Sequence, residues 1–270
     1  NPRSATISAR HRKVFEYTNE FSREAQNNAA AIDKERYSLL SAEQAATLPA
    51  GLWDINQAFC AADWLAIHYQ KKVVKTLQGG HVAAFLTAVG YLTYTDLLST
   101  PVMIGGIITL MLFAVVNNAL AVRGSWQRKY LDYRTLAEGL RVQFYWAAAG
   151  VTSGSVSKYA HDNFLQMQDT ELGWIRNVMR VAGMECDVAP NLEPQGVQFA
   201  VQEWIGDDKS GQLGYYRRKS AQRIVEHDST MRIGRLGIWT TIIALAALLF
   251  TGSTLSNEVR TPVVYLMGVV

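Results

Sequence analysis

The side chains that could take part in chemistry are few and scattered along this chain of 270 residues. Five histidines occur, at His11, His68, His81, His161 and His227. They do not recur at the spacing of metal ligands, and no glycine-rich phosphate-binding motif is present. The two cysteines, Cys60 and Cys186, exclude a disulfide framework and a four-cysteine zinc site. The sequence therefore predicts no catalytic residues, no metal, no cofactor and no enzymatic activity.

Two adjacent amides interrupt an otherwise apolar stretch. Asn117 and Asn118 lie about one to two helical turns before Arg123, inside the uncharged run that follows Asp96. Polar side chains at membrane depth seek protein or water as partners, so two interpretations remain open. The amides line a water-filled path, or they hydrogen-bond a neighbouring helix. Because successive residues project about 100° apart on a helix, one amide can hold a helix while the other lines a path.

A group of three charged residues has the spacing of a helix face. Arg134, Glu138 and Arg141 are related as i, i+4 and i+7, so the glutamate can pair with both arginines. A solvated ion-pair face of small energetic value is the simpler interpretation of this pattern. The alternative is a desolvated junction between two helices, in which the charges hold each other in place.

The elements that carry these residues follow from the distribution of charge. Lys plus Arg is 26 and Asp plus Glu is 23, so the formal charge of 26 − 23 = +3 does not indicate a nucleic-acid partner. Uncharged runs of 20 or more residues lie between Lys75 and Asp96, between Asp96 and Arg123, and between Arg235 and Glu258. A bilayer-spanning helix needs about 20 apolar residues, so three spans are predicted. The run at 263–270 would be a fourth span, incomplete as given.

Basic residues flank these runs on one side and predict the orientation. They precede the first span at Lys71–Lys75, follow the second at Arg123–Lys129 and precede the third at Arg217–Arg235. The predicted fold is an all-α integral membrane protein with two transmembrane helical hairpins and long cytoplasmic helices, multi-pass in the inner (plasma) membrane. Its predicted parts are cytoplasmic helices at 1–78, a first hairpin at 79–122, a cytoplasmic helical region at 123–235 and a second hairpin at 236–270. The motifs YQKK at 69–72 and YRRK at 216–219 suggest an internal repeat, although basic collars also arise independently.

Within the polar segments the pattern predicts mostly helix. Residues 8–46 contain no proline or glycine and predict one long helix, and Asp54 is a candidate N-cap for the next. That next helix either continues into the first span or breaks at Gly79-Gly80. Further helices are predicted at 123–149, 159–168 and 171–182, with an interruption at 206–211. An apolar stripe at helical spacing is formed by Ile55, Phe59, Ala62, Leu65, Ala66, Tyr69 and Val73.

One stretch resembles a known family. The residues YRTLAEGLRVQFYW, from Tyr133 to Trp146, are similar to the signature of the SLATT group, the SMODS- and SLOG-associating transmembrane effectors of bacteria. In that family a two-span hairpin is followed by a helix with this Arg-x-x-x-Glu pattern, and the order over residues 50–150 is the same. The resemblance places Arg134, Glu138 and Arg141 at the family signature, which favours the desolvated junction. Two spans are typical of the family, whereas four are predicted here.

The resemblance implies a function. It implies a non-enzymatic membrane effector that oligomerises and forms or gates a pore when a nucleotide signal arrives in a bacterial conflict (anti-phage) system. The implied partners are the lipid bilayer, further copies of the chain and a SLOG-type nucleotide sensor, either N-terminal or separate. Two other functions fit the same residues: a membrane anchor or scaffold for a cytoplasmic signalling domain, and a constitutive ion channel.

Overall fold

The computed structural model describes residues 9–41, 44, 48, 51–96, 99–150, 170–184, 186 and 194–251. In this part of the chain the regular structure is helical, and the all-α prediction is confirmed for it. The α-helices are α1 (Ala9–Asn27), α2 (Ala29–Glu35), α3 (Leu52–Asp96), α4 (Pro101–Arg123), α5 (Trp126–Ala148), α6 (Gly173–Ala182), α7 (Pro194–Phe199) and α8 (Gly211–Thr251). The predicted helix at 159–168 and the predicted fourth span lie outside the described residues.

The chain divides into two compact units. The first consists of the described residues of Asn1–Val73 and Ser125–Gly214, and the second of those of Val74–Gly124 and Tyr215–Val270. The division inside α3 falls just after the YQKK motif at 69–72. The division near the start of α8 falls just before the YRRK motif at 216–219.

The first unit is built around the apolar stripe of α3. The six stripe residues from Ile55 to Tyr69 are all buried, and Val73 is half-buried. They pack with a matching face of α5, where Tyr133, Leu136, Leu140 and Phe144 have 1% exposure or less. Apolar residues three and four apart on each helix give a face wide enough to exclude water, so these two helices form the centre of the unit.

An aromatic group ties α1 and α6 to this centre. Phe21 of α1 lies between Tyr133 of α5 and Trp174 of α6, with ring centroids 5.8 and 5.9 Å away. Trp174 itself is fully buried and meets Tyr133 edge-on at 6.1 Å. Tilted and edge-on ring pairs of this kind add to the area that the rings bury.

The predicted single helix over 8–46 is wrong. Helix α1 ends at Asn27, the amide of Asn28 bonds back to the carbonyl of Glu24 at 2.8 Å, and α2 ends at Glu35. The following segment folds onto α3 because the buried Asn56 accepts a hydrogen bond from the backbone N–H of Leu39 at 2.9 Å. That side chain takes up a backbone donor that a longer helix would have used, so a tertiary contact overrides the local helical preference.

Helix α3 is continuous from Leu52 to Asp96. The Gly79-Gly80 break is therefore wrong, and the continuous alternative holds. The Asp54 N-cap is also wrong, because Asp54 lies inside the first turn. A carboxylate in that position still favours the helix, since the N-terminus carries partial positive charge.

The predicted interruption near residue 206 is confirmed and has a compact structure. The carboxylate of Asp207 accepts hydrogen bonds from the backbone N–H groups of Lys209 and Ser210, both at 2.8 Å. Gly206 and Gly211 bracket this turn with φ angles of 69° and 59°. A Cβ on either glycine would overlap the backbone of the other, so the turn requires glycine at both ends. Helix α8 then begins and runs without interruption to Thr251.

The second unit contains the helix with the strongest apolar character. Helix α4 begins with Pro101 after an extended Thr100, a position where the missing proline N–H costs nothing. None of its side chains is buried. Among the described helices it is the one long and apolar enough to cross a membrane, judged by length and composition. The multi-pass topology stays a prediction.

Candidate functional site

The two asparagines predicted as polar residues of a span lie on different surfaces of α4. Asn117 is half-buried, and its Nδ2 donates a hydrogen bond to the carbonyl oxygen of Thr76 on α3 at 2.9 Å. Asn118 is exposed. The structure therefore places Asn117 in a helix-to-helix contact within the second unit. Asn118 remains available to a second chain or to water.

Small residues on α3 make the Asn117 contact possible. A Cβ added at Gly79 would lie 3.4 Å from Nδ2 of Asn117, so a larger side chain would push the amide away. Ala83, one turn further, is 2% exposed. At Gly90 an added Cβ would lie 3.2 Å from Ile107, so the same face of α3 stays close to α4 over three turns. Gly79 thus serves close packing of the two helices, a common role of glycine in apolar helix pairs.

The predicted ion-pair trio exists, and the structure extends it to α3. Arg134 bonds Glu138 at 2.6 Å, and Glu138 bonds Arg141 at 3.0 Å. Arg134 also reaches the carboxylate of Asp63 on α3 at 3.3 Å. The chain of charges therefore bridges α3 and α5. Asp63 is thus a fourth member of this charged group, and no feature of the local sequence around Arg134 predicts it.

The trio is solvated at one end and desolvated at the other. The side chains of Arg134 and Glu138 are 43% and 41% exposed, whereas those of Arg141 and Asp63 are 17% and 9% exposed. Burial raises the pKa of Asp63, and the nearby Arg134 and Arg141 reduce that rise. Arg141 in addition covers the ring of Phe59 at 5.2 Å. Neither interpretation of the trio applies to all of it: Arg134 and Arg141 each contact α3, through Asp63 and through the ring of Phe59, while Glu138 between them stays 41% exposed.

A second charged cluster, which the sequence did not reveal, joins α1 to α5. Lys129 lies between Glu20 and Glu24 and bonds the former at 2.9 Å. Arg128 bonds Glu20 at 2.6 Å and Asp132 at 3.2 Å. We call these five residues the α1 clamp. The four-residue spacing of Glu20 and Glu24 was its one visible signal, and it names no partner.

Two tyrosines close the α1 clamp on its inner side. The hydroxyl groups of Tyr69 and Tyr133 each donate a hydrogen bond to Glu24 at 2.9 Å. Burial raises the pKa of both phenols, and the Glu24 carboxylate raises it further. The hydroxyls therefore stay protonated and act as donors to Glu24.

Arg128 and Lys129 favour the ionised form of Glu20 in the α1 clamp. Burial raises the pKa of Glu20, but hydrogen bonds from Arg128 and Lys129 outweigh it, so the pKa lies below its ordinary value. Burial lowers the pKa of Lys129, and the hydrogen bonds to Glu24 and Glu20 more than reverse this. Acid and base thus stabilise each other's ionised forms across two helices.

The ion pairs and hydrogen bonds described above hold helices of the first unit together. The charged and phenolic groups of the α1 clamp and of the trio are engaged with each other. In the described residues no three His, Cys, Asp or Glu side chains are grouped as metal ligands would be. Cys60 is buried against the carbonyl of Tyr37 at 3.3 Å, and burial raises the pKa of its thiol to about 11, which makes it a poor nucleophile.

Comparisons of this chain with protein-family models, with curated proteins and with solved structures give no match. The resemblance to the SLATT group therefore stays a prediction that rests on the residues from Tyr133 to Trp146.

Proposed function

We propose that this chain is a non-enzymatic membrane effector, multi-pass in the inner (plasma) membrane with its polar regions cytoplasmic. In this proposal several copies assemble so that their apolar helices form or gate a pore. The SLATT resemblance supplies the trigger, a nucleotide signal from a SLOG-type sensor in an anti-phage system.

One observation carries the membrane part of the proposal. Helix α4 combines the length and hydropathy of a span with no buried side chain, whereas an apolar helix in the core of a water-soluble protein is mostly buried. Val102, Val115 and Val122 are 83%, 65% and 68% exposed. Apolar surface of this extent is unfavourable in water at about 25 cal/mol per Å², and hydrocarbon removes that cost.

The pore part rests on the two asparagines. A hairpin of two helices cannot enclose a water path, so a pore needs several copies. Asn117 is used within the hairpin by its bond to Thr76, while Asn118 faces outward. In an assembly of copies, Asn118 supplies a polar group at the depth of a constriction.

A membrane anchor is the second candidate, and the composition of α4 favours it. Over Pro101–Arg123 the polar side chains are few, and Thr109 bonds the carbonyl of Gly105 in its own helix at 2.8 Å. A helix of this composition holds a polar unit at the bilayer without conducting ions.

Vesicle measurements separate the two candidates. The purified chain is reconstituted into liposomes that hold a potassium diffusion potential, reported by a voltage-sensitive dye. A pore dissipates the potential, Asn118→Leu reduces that leak, and the matched control Val116→Leu leaves it unchanged. If the parent chain is inserted and the potential persists, also in the presence of candidate nucleotides, the pore proposal fails and the anchor is favoured.

Insertion itself is tested by cysteine labelling in intact cells. In a background with Cys60→Ala and Cys186→Ser, a membrane-impermeant maleimide should label Ser99→Cys, which lies between α3 and α4. It should reach Ser229→Cys on α8 only after permeabilisation. Labelling of position 229 in intact cells would overturn the proposed orientation.

A further inference from the structure

Helix α8 contains a polar segment that nothing in the described structure covers. Every side chain from Tyr215 to Arg235 is exposed. An isolated helix in water is marginal, because most helical stability in proteins comes from packing of an apolar face. The segment holds six basic and two acidic residues, which excludes burial in hydrocarbon. A surface outside the hydrocarbon is therefore the cover that this segment lacks.

Four of the exposed apolar side chains of α8 lie seven residues apart. Ile224, Met231, Ile238 and Leu245 are 60%, 49%, 61% and 53% exposed and share one narrow line along the helix. A repeat of seven is the pattern of two helices that wind around each other. We call these four residues the α8 seam. The seam continues from the polar segment into the apolar part of the same helix.

Small or polar residues accompany the α8 seam at the second position of each repeat. Three residues after each of the first three seam residues come His227, Gly234 and Thr241, and Ser220 precedes them at the same spacing. A Cβ built at Gly234 would meet nothing within 4 Å, so this side of α8 is open to a second backbone. Small side chains here permit close approach of the partner helix.

Charge complementarity identifies the partner as a second copy in parallel orientation. Arg223 precedes the first seam residue, and Asp228 lies five residues further. In a parallel pair of such helices, side chains at these two flanking positions face each other across the interface. Arg223 of each copy then meets Asp228 of the other, once on each side. In an antiparallel pair these positions would face their own kind instead.

We propose that α8 pairs with α8 of a second copy along the α8 seam, in parallel, from the polar segment into the apolar part. The parallel orientation also rests on the proposed function, because two copies inserted in one membrane with the same topology must run in the same direction. Pairing along the α8 seam supplies the contact between two copies that an assembled pore or a dimeric anchor requires.

Disulfide cross-linking of the full chain in membranes tests the pairing. In the background without native cysteines, Ser220→Cys places a thiol beside the α8 seam, and Ser229→Cys places one away from it. Mild oxidation should link Ser220→Cys into dimers and leave Ser229→Cys monomeric. Arg223→Asp should remove the cross-link at position 220, and the exchange Arg223→Asp with Asp228→Arg should restore it.

Membrane retention is measured on the same samples by carbonate extraction. If the chain is extracted, the proposed membrane function fails whatever the cross-links show. If it is retained but positions 220 and 229 cross-link equally, or not at all, the pairing is overturned. If both positions are instead shielded from maleimide only in vesicles that contain anionic phospholipid, the six basic residues lie on a lipid surface, and this also overturns the pairing.

Discussion

The polar segments that precede two of the predicted spans look alike in sequence and behave differently in the structure. Leu52–Val73 of α3 and Tyr215–Arg235 of α8 each contain a tyrosine followed by basic residues, and each continues into an apolar helix. The α3 segment is packed along one face, with Ile55 and Leu65 fully buried. The α8 segment is exposed on every side.

The spacing of the apolar residues explains the difference. On α3 they recur at three and four residues and form a wide face that a folded unit can bury. In the α8 segment the apolar residues are fewer, and Ile224 and Met231, seven residues apart, lie on the narrow line of the α8 seam, which suits a single partner helix. The YQKK and YRRK collars suggest a repeat, yet the α3 segment is buried along one face and the α8 segment is exposed. A basic collar therefore does not report how the preceding helix is covered.

The largest expected effect comes from shortening matched isoleucines in the two segments. Ile55→Ala should lower the free energy of unfolding by about 2–5 kcal/mol, because the deleted atoms leave a cavity in a fully buried site. Ile224→Ala, at 60% exposure, should change it by less than about 0.5 kcal/mol while it weakens cross-linking through position 220. Thermal unfolding of the detergent-solubilised chain, followed by circular dichroism, measures both. Equal losses would show that α8 is covered within the chain and would remove the contrast.

The two charged clusters of the first unit should also respond unequally. Lys129→Met leaves Glu20 and Glu24 facing each other without their shared cation, in side chains only 19% and 13% exposed. The expected cost is up to about 3 kcal/mol, since an unpaired buried charge is strongly destabilising. Glu138→Gln is the control from the trio: Glu138 is 41% exposed and its removal leaves Arg134 paired with Asp63, so the loss should stay below about 1 kcal/mol. A larger loss for the Glu138 variant would make the signature trio the more important of the two clusters.

The next effect concerns the paired asparagines of α4. Asn117→Leu removes the bond to Thr76 and should weaken the contact between α3 and α4 by about 0.6–2 kcal/mol. Asn118→Leu should leave that contact intact, because its side chain is exposed and makes no bond to α3 in the described residues. Thermal unfolding in detergent, with protease resistance of the hairpin, distinguishes them. If the two variants lose stability equally, the asymmetry between the asparagines is wrong.

The smallest effect is the dependence of the α1 clamp on pH. Because the pKa of Glu20 is lowered in the folded chain, its ionised form stabilises the fold above the ordinary value of 4.5. That contribution is lost as the pH falls below 4.5 and through the folded-state pKa. Asp63 and Asp132 act in the opposite sense, since burial raises their pKa values. Unfolding midpoints across the acid range should therefore fall less steeply in Glu20→Gln than in the parent. An identical slope would exclude Glu20 as the residue responsible.

Much of the fold could be predicted from periodicity, and the failures have a common cause. The stripe from Ile55 to Tyr69, the interruption at residue 206 and the apolar α4 all follow from local patterns. The helix predicted over 8–46 fails because Asn56, distant in sequence, binds the backbone at Leu39. The trio at 134–141 was visible because its members share one helix, whereas Asp63 and the α1 clamp join side chains from different helices. Local spacing cannot name such partners.

The sequence by itself determined most of the helical segments, which of them are apolar and where the basic collars lie, because these depend on residues only a few positions apart. The tertiary structure decided which of those helices are covered. It gave α3 a partner face on α5, placed Asn117 against Thr76 and left Asn118 outside, and left α8 exposed. The physical reason is that burial is a property of pairs of surfaces. A helix carries its own periodicity, but whether that face meets another depends on elements far away in the chain.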